Sequence, residues 1–135
     1  VPEHPFRSRH RLSLDRDYRA VFANRLAKSR GPLTVFLRPN TVREHRLGLS
    51  IGRRVGNAVA RAKVKRMVRE AFRLDRPVYP TPAEGRAYDV IVSARAHKVL
   101  SLNEYRSLLL AAVEAAHREH ARRTDRSNPA DRTDP

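Results

Sequence analysis

Arg61, Lys63, Lys65, Arg66, Arg69 and Arg73 crowd into thirteen residues of the chain. At about 100° per residue, Lys65, Arg66, Arg69 and Arg73 share one sector of a helix, with Arg61 and Lys63 at its margins. Ala60, Val64, Met67, Val68, Ala71 and Leu74 fall on the opposite side. Guanidinium and ammonium groups stay protonated at neutral pH, so such a ridge is suited to neutralising phosphates rather than to exchanging protons. Glu70, at the edge of the sector, offers the one local compensation. Self-repulsion therefore destabilises the ridge unless a polyanion lies on it. Arg53 and Arg54 precede the helix, and residues 53–76 hold nine basic and two acidic side chains, +7 of the chain's net +15. Of the 29 basic residues, 25 are arginine, whose planar fork suits bidentate phosphate contacts and stacking.

The groups needed by a protein nuclease do not come together in the sequence. Asp15 and Asp17 diverge on or beside a helix, and Glu114 with His117 is a single Glu-x-x-His lacking a second carboxylate set. His117 and His120 read as an exposed helix face. Asp89, at a strand start, reads as a turn or capping acid. Gly48, Gly52 and Gly56 match neither nucleotide-binding fingerprint. The absence of cysteine removes thiol catalysis, disulfides and thiolate zinc sites. No catalytic residue and no protein-bound metal are expected, and the charge points to a nucleic-acid partner. Tyr18 and Phe22, at i and i+4, are the second pair able to do chemistry. They either fill a core or present rings on which unpaired bases stack.

Positioning these groups requires a folded body, and 135 residues at 40% hydrophobic content suffice for one domain. Ser13 or Asp15 can cap a first helix carrying Leu14, Tyr18, Val21, Phe22 and Leu26, closed off by Gly31-Pro32. Leu33 to Leu37, and Leu47, Leu49 and Ile51 alternating with small residues, predict two adjacent antiparallel strands. Asn57 opens the basic helix, which runs to about Asp75. Pro77, Pro80 and Pro82 make a loop before an internal strand from Tyr88 to Ser93. Ser101 and Glu104 form a capping box, with Leu100 and Tyr105 as a staple, for a last helix bearing Leu102, Leu109, Ala112, Val113 and Ala116. The reading is an α+β fold, an α/β sandwich with a mixed sheet in the order α-β-β-α-β-α. Its single domain spans residues 9–123, between a flexible segment 1–8 and a disordered tail 124–135. No apolar run approaches the roughly 20 residues of a membrane span, and no signal-peptide pattern is evident, so a soluble, cytoplasmic protein is expected.

The stretch from Arg53-Arg54-Val55-Gly56-Asn57 through Arg61-Ala62-Lys63 to Arg69-Glu70-Ala71-Phe72-Arg73 resembles the signature of the bacterial ribonuclease P protein subunit. The likeness extends to Arg11-Leu12, Tyr18 and Phe22, to Leu47-Gly48-Leu49-Ser50-Ile51 and to Asp89-Val90-Ile91-Val92-Ser93-Ala94-Arg95, covering about residues 7–120. It implies a small basic subunit that binds a catalytic RNA and assists removal of the 5′ leader from precursor tRNA. The chemistry is then carried by the RNA with Mg2+, with no cofactor bound by the protein alone and no obligate protein partner. It implies an RNA-binding set of Arg53 and Arg54 together with Arg61, Lys63, Lys65, Arg66, Arg69 and Arg73, the last six on a helix lying between two parallel strands in a left-handed crossover. It further implies a cleft for the single-stranded leader, lined by Tyr18, Phe22 and an aromatic on the adjacent strand. Phe36 is the candidate there, although ungapped counting back from Arg46-Leu47-Gly48 reaches Val35, and a one-residue shift reverses the faces. One departure stands out. The family's Arg-Asn-Arg is Arg61-Ala62-Lys63 in this chain, so an amide and one planar fork are lost from the contact face while charge is kept. Set against the resemblance is a stand-alone ribosomal or structured-RNA-binding protein, the default for a basic α+β domain of this size.

Overall fold

In the computed structural model, residues 6–127 are described. The chain forms helix α1 (Asp15–Ala23), strands β1 (Ala27–Arg30), β2 (Leu33–Asn40) and β3 (Arg46–Ser50), helix α2 (Ala58–Asp75), strand β4 (Ala87–Ala94) and helix α3 (Leu102–Ser127). The four strands make one mixed sheet in the order β1-β2-β4-β3, with β2 antiparallel and β3 parallel to β4. The α+β sandwich is thus present, with α2 in a βαβ crossover between β3 and β4. Among the described residues no helix is long and apolar enough to cross a membrane.

Period-two alternation sends the strand side chains to two faces. Leu33, Val35 and Leu37 of β2, Val90 and Val92 of β4 and Leu47 of β3 join Val64, Val68, Ala71 and Phe72 of α2 and Tyr105, Leu109, Ala112, Val113 and Ala116 of α3 in the main core. On the other face, α1 and the segment leading to it cover Ile91 with Leu12 and Val21, and Tyr18 and Phe36 pack at the edge of this small cluster. The result is three layers: α1, the sheet, and α2 with α3.

Helix ends follow their local chemistry where a cap exists. The Asn57 side chain accepts the Ala60 N–H at 2.9 Å and starts α2. Ser101 Oγ accepts the Glu104 N–H at 3.2 Å while Glu104 Oε1 accepts the Ser101 N–H at 3.3 Å, the expected capping box before α3.

Four expectations are corrected. Neither Ser13 nor Asp15 caps α1: Leu14 occupies that position with no side-chain bond. The helix stops at Ala23 rather than continuing through Leu26, because Arg25 takes a left-handed φ of 52° and Leu26 turns into the main core. Arg123 of α3 secures the turn by donating to the carbonyls of Asn24 (2.8 Å) and Arg25 (2.5 Å). Gly31, at φ 54°, then closes a β1–β2 hairpin instead of a helix. Second, β2 and β3 are not neighbours. The apolar run of β4, buried on both faces, inserts between them and takes a partner on each side. Third, residues 6–8 belong to the folded body, since Phe6 packs edge-on against Phe72 with ring centres 5.9 Å apart; residues 1–5 lie outside the described residues. Fourth, α3 continues through Thr124 to Ser127, where Glu119 meets Arg122, Arg123 and Arg126 at helical spacing; the remainder of the expected tail lies outside the described residues.

Candidate nucleic-acid interface

Helix α2 is held by Val64, Val68, Ala71 and Phe72, all fully buried, which turns its other side outward. Arg61, Lys65, Arg66 and Arg69 line an open concavity with Ala58 and Ala62. Lys63, Arg66 and Arg69 are exposed, as is Ala62, so the missing amide does fall on the basic face. Arg61 Nε is buried with no hydrogen-bond partner in this structure. Arg53 and Arg54 stand exposed on a short 3-10 turn that delivers the chain to α2 through Gly56. That glycine has a φ of 146°, which side-chain-bearing residues rarely adopt. Arg73 differs from the rest of the ridge: its Nε donates to Glu70 Oε2 at 2.9 Å, and its Nη2 contacts the other carboxylate oxygen. This pair holds Glu70 below the usual carboxylate range.

Lys65 and Arg69 also reach around the helix to a cleft of about 150 Å³, where they meet Tyr18 of α1, Arg11 and Leu49. Tyr18 is held there by its hydroxyl, which accepts the Leu49 N–H at 3.0 Å. Its ring lies so close to β3 that a Cβ at Gly48 would stand 2.8 Å from Tyr18 Cζ and Oη. The Arg11 guanidinium sits 5.7 Å above the Phe6 ring at the rim.

Along the sheet from Tyr18, Phe22 and Phe36 meet edge to face at 4.9 Å, and Phe22 is 39% exposed. Val35 is fully buried in the main core on the opposite face, which leaves Phe36 as the β2 aromatic beside α1. Register continues this face outward: Phe36 pairs with Ile91 and Ile91 with Gly48, while the next row is Ser29, Thr34, Ser93 and Ser50. Ser29 and Thr34 hydroxyls are 2.7 Å apart. Half-covered aromatics beside a hydroxyl-bearing strip and two cations form a surface on which unpaired bases can stack while their phosphates are neutralised.

The residues considered for acid–base or metal chemistry are placed elsewhere. Asp89 is neither a turn acid nor a cap. It is buried and receives Arg46 Nε and Nη2, each at 2.8 Å, and Asn40 Nδ2 at 2.9 Å. His117 and His120 do not form an exposed face: both rings pack on Tyr88, whose hydroxyl is 2.7 Å from His117 Nδ1, and burial lowers both pKa values. Among the described residues no three His, Asp or Glu side chains converge as metal ligands. Sequence reasoning missed the parts played by Phe6 and Gly48. The alternation of Gly48 with Leu47 and Leu49 was readable, but its place opposite Ile91 and the ring filling the space above it were not.

The sequence and the fold have known counterparts. A family model described as Ribonuclease P matches residues 6–119. The ribonuclease P protein component of Methylococcus capsulatus is 38% identical over 106 residues, covering 78% of this chain and 76% of that protein. The solved RNase P protein of Thermotoga maritima superposes with a TM-score of 0.61 at 31% identity, over 75% of this chain and 92% of that one. That of Staphylococcus aureus gives 0.64 at 26%, over 79% and 94%. Sequence and fold agree over most of the chain, and the chain belongs to the ribonuclease P protein family.

Proposed function

We propose that this chain binds the RNA of ribonuclease P through the α2 ridge and holds the single-stranded 5′ leader of precursor tRNA against Tyr18, Phe22 and Phe36. As a ribonuclease P protein, it takes part in tRNA processing together with an RNA component. The observation that carries the finer reading is continuity: Lys65 and Arg69 line both the ridge and the cleft that contains Tyr18. One molecule can therefore touch a folded RNA and a strand leaving it. Arg53, Arg54, Arg61, Lys63 and Arg66 extend the phosphate-binding surface. Arg73, paired with Glu70, contributes less unless RNA displaces the carboxylate.

Hydrolysis is assigned to the RNA, with Mg2+ held mainly by it. Glu44, Glu70, Asp75, Asp89 and Glu119 do not fit a magnesium site, because each is held by an arginine, and among the described residues no three acidic or histidine side chains converge as metal ligands. The protein's own contribution is position and charge: it fixes the leader and offsets phosphate repulsion that Mg2+ would otherwise have to screen. The composition supports a cytoplasmic setting. The test is leader removal by the catalytic RNA at low Mg2+, with and without the protein. Stimulation by the protein, and no cleavage by RNA-free protein, are expected. Cleavage by rigorously RNA-free protein overturns the assignment, and tight RNA binding without stimulation favours a stand-alone RNA-binding protein.

A further inference from the structure

At the far end of α2, about 22 Å from Arg61 at 1.5 Å per residue, the structure has a second basic concavity. An open cavity of about 380 Å³ lies between the Ser8–His10 turn, the β2–β3 loop and the loop before β4, and is lined by Arg9, Glu44, Arg43, Arg76, Thr81 and Arg86. Four guanidinium groups thus face one carboxylate. That carboxylate is already engaged: Arg9 Nε donates to Glu44 Oε2 at 3.0 Å, and His10 Nε2 contacts the same oxygen. The two histidines at the cavity add no positive charge. His10 Nδ1 accepts the Arg7 N–H and His45 Nδ1 accepts the Tyr88 N–H, each at 3.0 Å, and burial favours both neutral rings.

Arg76 adds fixed positive charge to the cavity wall. Its Nη1 is buried with no hydrogen-bond partner in this structure, although an arginine does not lose its proton to escape that position. Arg86 Nε reaches the Asn40 carbonyl only at 3.4 Å, and the Arg43 guanidinium lies beside Gly85. The cavity therefore presents two loosely held guanidiniums, those of Arg43 and Arg86, beside Arg76 and Thr81 to whatever enters, a donor set matched to a tetrahedral oxyanion.

We propose that this cavity binds a phosphate of an RNA backbone, giving the protein a second anchoring point at the opposite end of α2 from Arg61. The inference rests on the RNA-binding reading above. Two phosphate contacts so far apart fix the rotation of the protein on its RNA, which one contiguous ridge leaves loose.

The test uses the full chain and the Arg43→Ala/Arg86→Ala variant, with inorganic phosphate and a ribonuclease P RNA transcript as probes. In amide spectra, phosphate should shift Thr81 and Tyr88 in the parent and not in the variant. The log–log salt slope of RNA binding should flatten by about 0.7 to 0.9 per lost contact. If Arg66→Ala/Arg69→Ala flattens the slope and the cavity variant does not, the cavity inference is wrong and the ridge reading stands. The inference fails in that case whether or not inorganic phosphate binds, since phosphate binding alone would mark a small-anion site. If neither variant changes the slope, the RNA-binding reading fails and takes the inference with it. Should the double variant melt lower than the parent, Arg43→Ala alone carries the same test at half the expected change.

Discussion

The two faces of the sheet are covered very differently. On one, the 18 residues of α2 and 26 of α3 seal a core that runs from Leu26 to Ala116. On the other, the nine residues of α1 cover a cluster centred on Leu12, Val21 and Ile91, and leave Phe22 39% exposed. Aromatic residues occur on both faces, so residue type alone does not separate structure from function. Coverage does: Phe72 is enclosed by the main core, while Phe22 and Phe36 meet edge to face at an open edge.

The sharpest way to break this contrast is to truncate one ring from each face. Phe72→Ala should cost about 3–5 kcal/mol of stability, because it empties an enclosed site. Phe22→Ala should cost about 1 kcal/mol or less of stability. It should lower affinity for a leader-bearing precursor by about 1–3 kcal/mol, with mature tRNA binding nearly unaltered. Denaturant titration and paired binding measurements check both. Equal loss of leaderless and leader-bearing substrate would place Phe22 outside the leader cleft.

A smaller perturbation asks whether Tyr18 belongs to the open face. A methyl at Gly48 collides with Cζ and Oη of Tyr18, so Gly48→Ala should displace that ring and strain α1, at about 1–3 kcal/mol of stability. Leader affinity should fall with it. Tyr18→Phe, which removes the bond from the Leu49 N–H but keeps the ring, should cost about 1 kcal/mol of stability and retain leader binding. A Tyr18→Phe variant as weak on leaders as Gly48→Ala would show that the hydroxyl, not the ring face, carries recognition.

Smaller still is the expected effect of the ridge on folding. Arg66→Ala and Arg69→Ala should each change stability by within about 0.5 kcal/mol, since both side chains are exposed. Each should flatten the salt dependence of RNA binding by about 0.7 to 0.9 in log–log slope. A large drop in melting temperature would make them structural and erase the distinction between the two sides of α2.

The mildest probe is pH. His45 stacks on Tyr88, and His117 and His120 pack against its ring; burial lowers all three pKa values from 6.5. The unfolded chain therefore takes up these protons first as pH falls. The associated stability is fully present above about pH 6.5 and is lost as pH falls through the folded-state values. Melting temperature should decline between pH 7 and pH 5. Replacing His117 by Gln should reduce that slope, and an unchanged slope would mean that His117 is not buried as a neutral ring.

Much of the site was legible before the fold was known. The i, i+4 spacing of Tyr18 and Phe22 and the wheel of Lys65, Arg66 and Arg69 depend only on helical geometry, which a local sequence specifies through its caps and apolar period. The same reasoning does not hold at Leu26 or at the β2–β3 pairing. A helix and a hairpin compete there for the same apolar residues, and the winner is the one whose buried side chains reach the larger core. His117 escapes a local reading for a related reason: its partner, Tyr88, is 29 residues away on β4.

By itself, then, the sequence determined the extent of α2, the capped start of α3, the charge on one side of α2 and the kind of partner that charge requires. Each of these follows from contacts within a few turns of one helix. Only the tertiary structure decided that β4 separates β2 from β3, that Phe36 rather than Val35 lies beside α1, and that Arg9, Arg43, Arg76 and Arg86 meet around one cavity. Those outcomes depend on which distant segments share a face. They are set by burial of the whole apolar surface at once, a quantity that no local window contains.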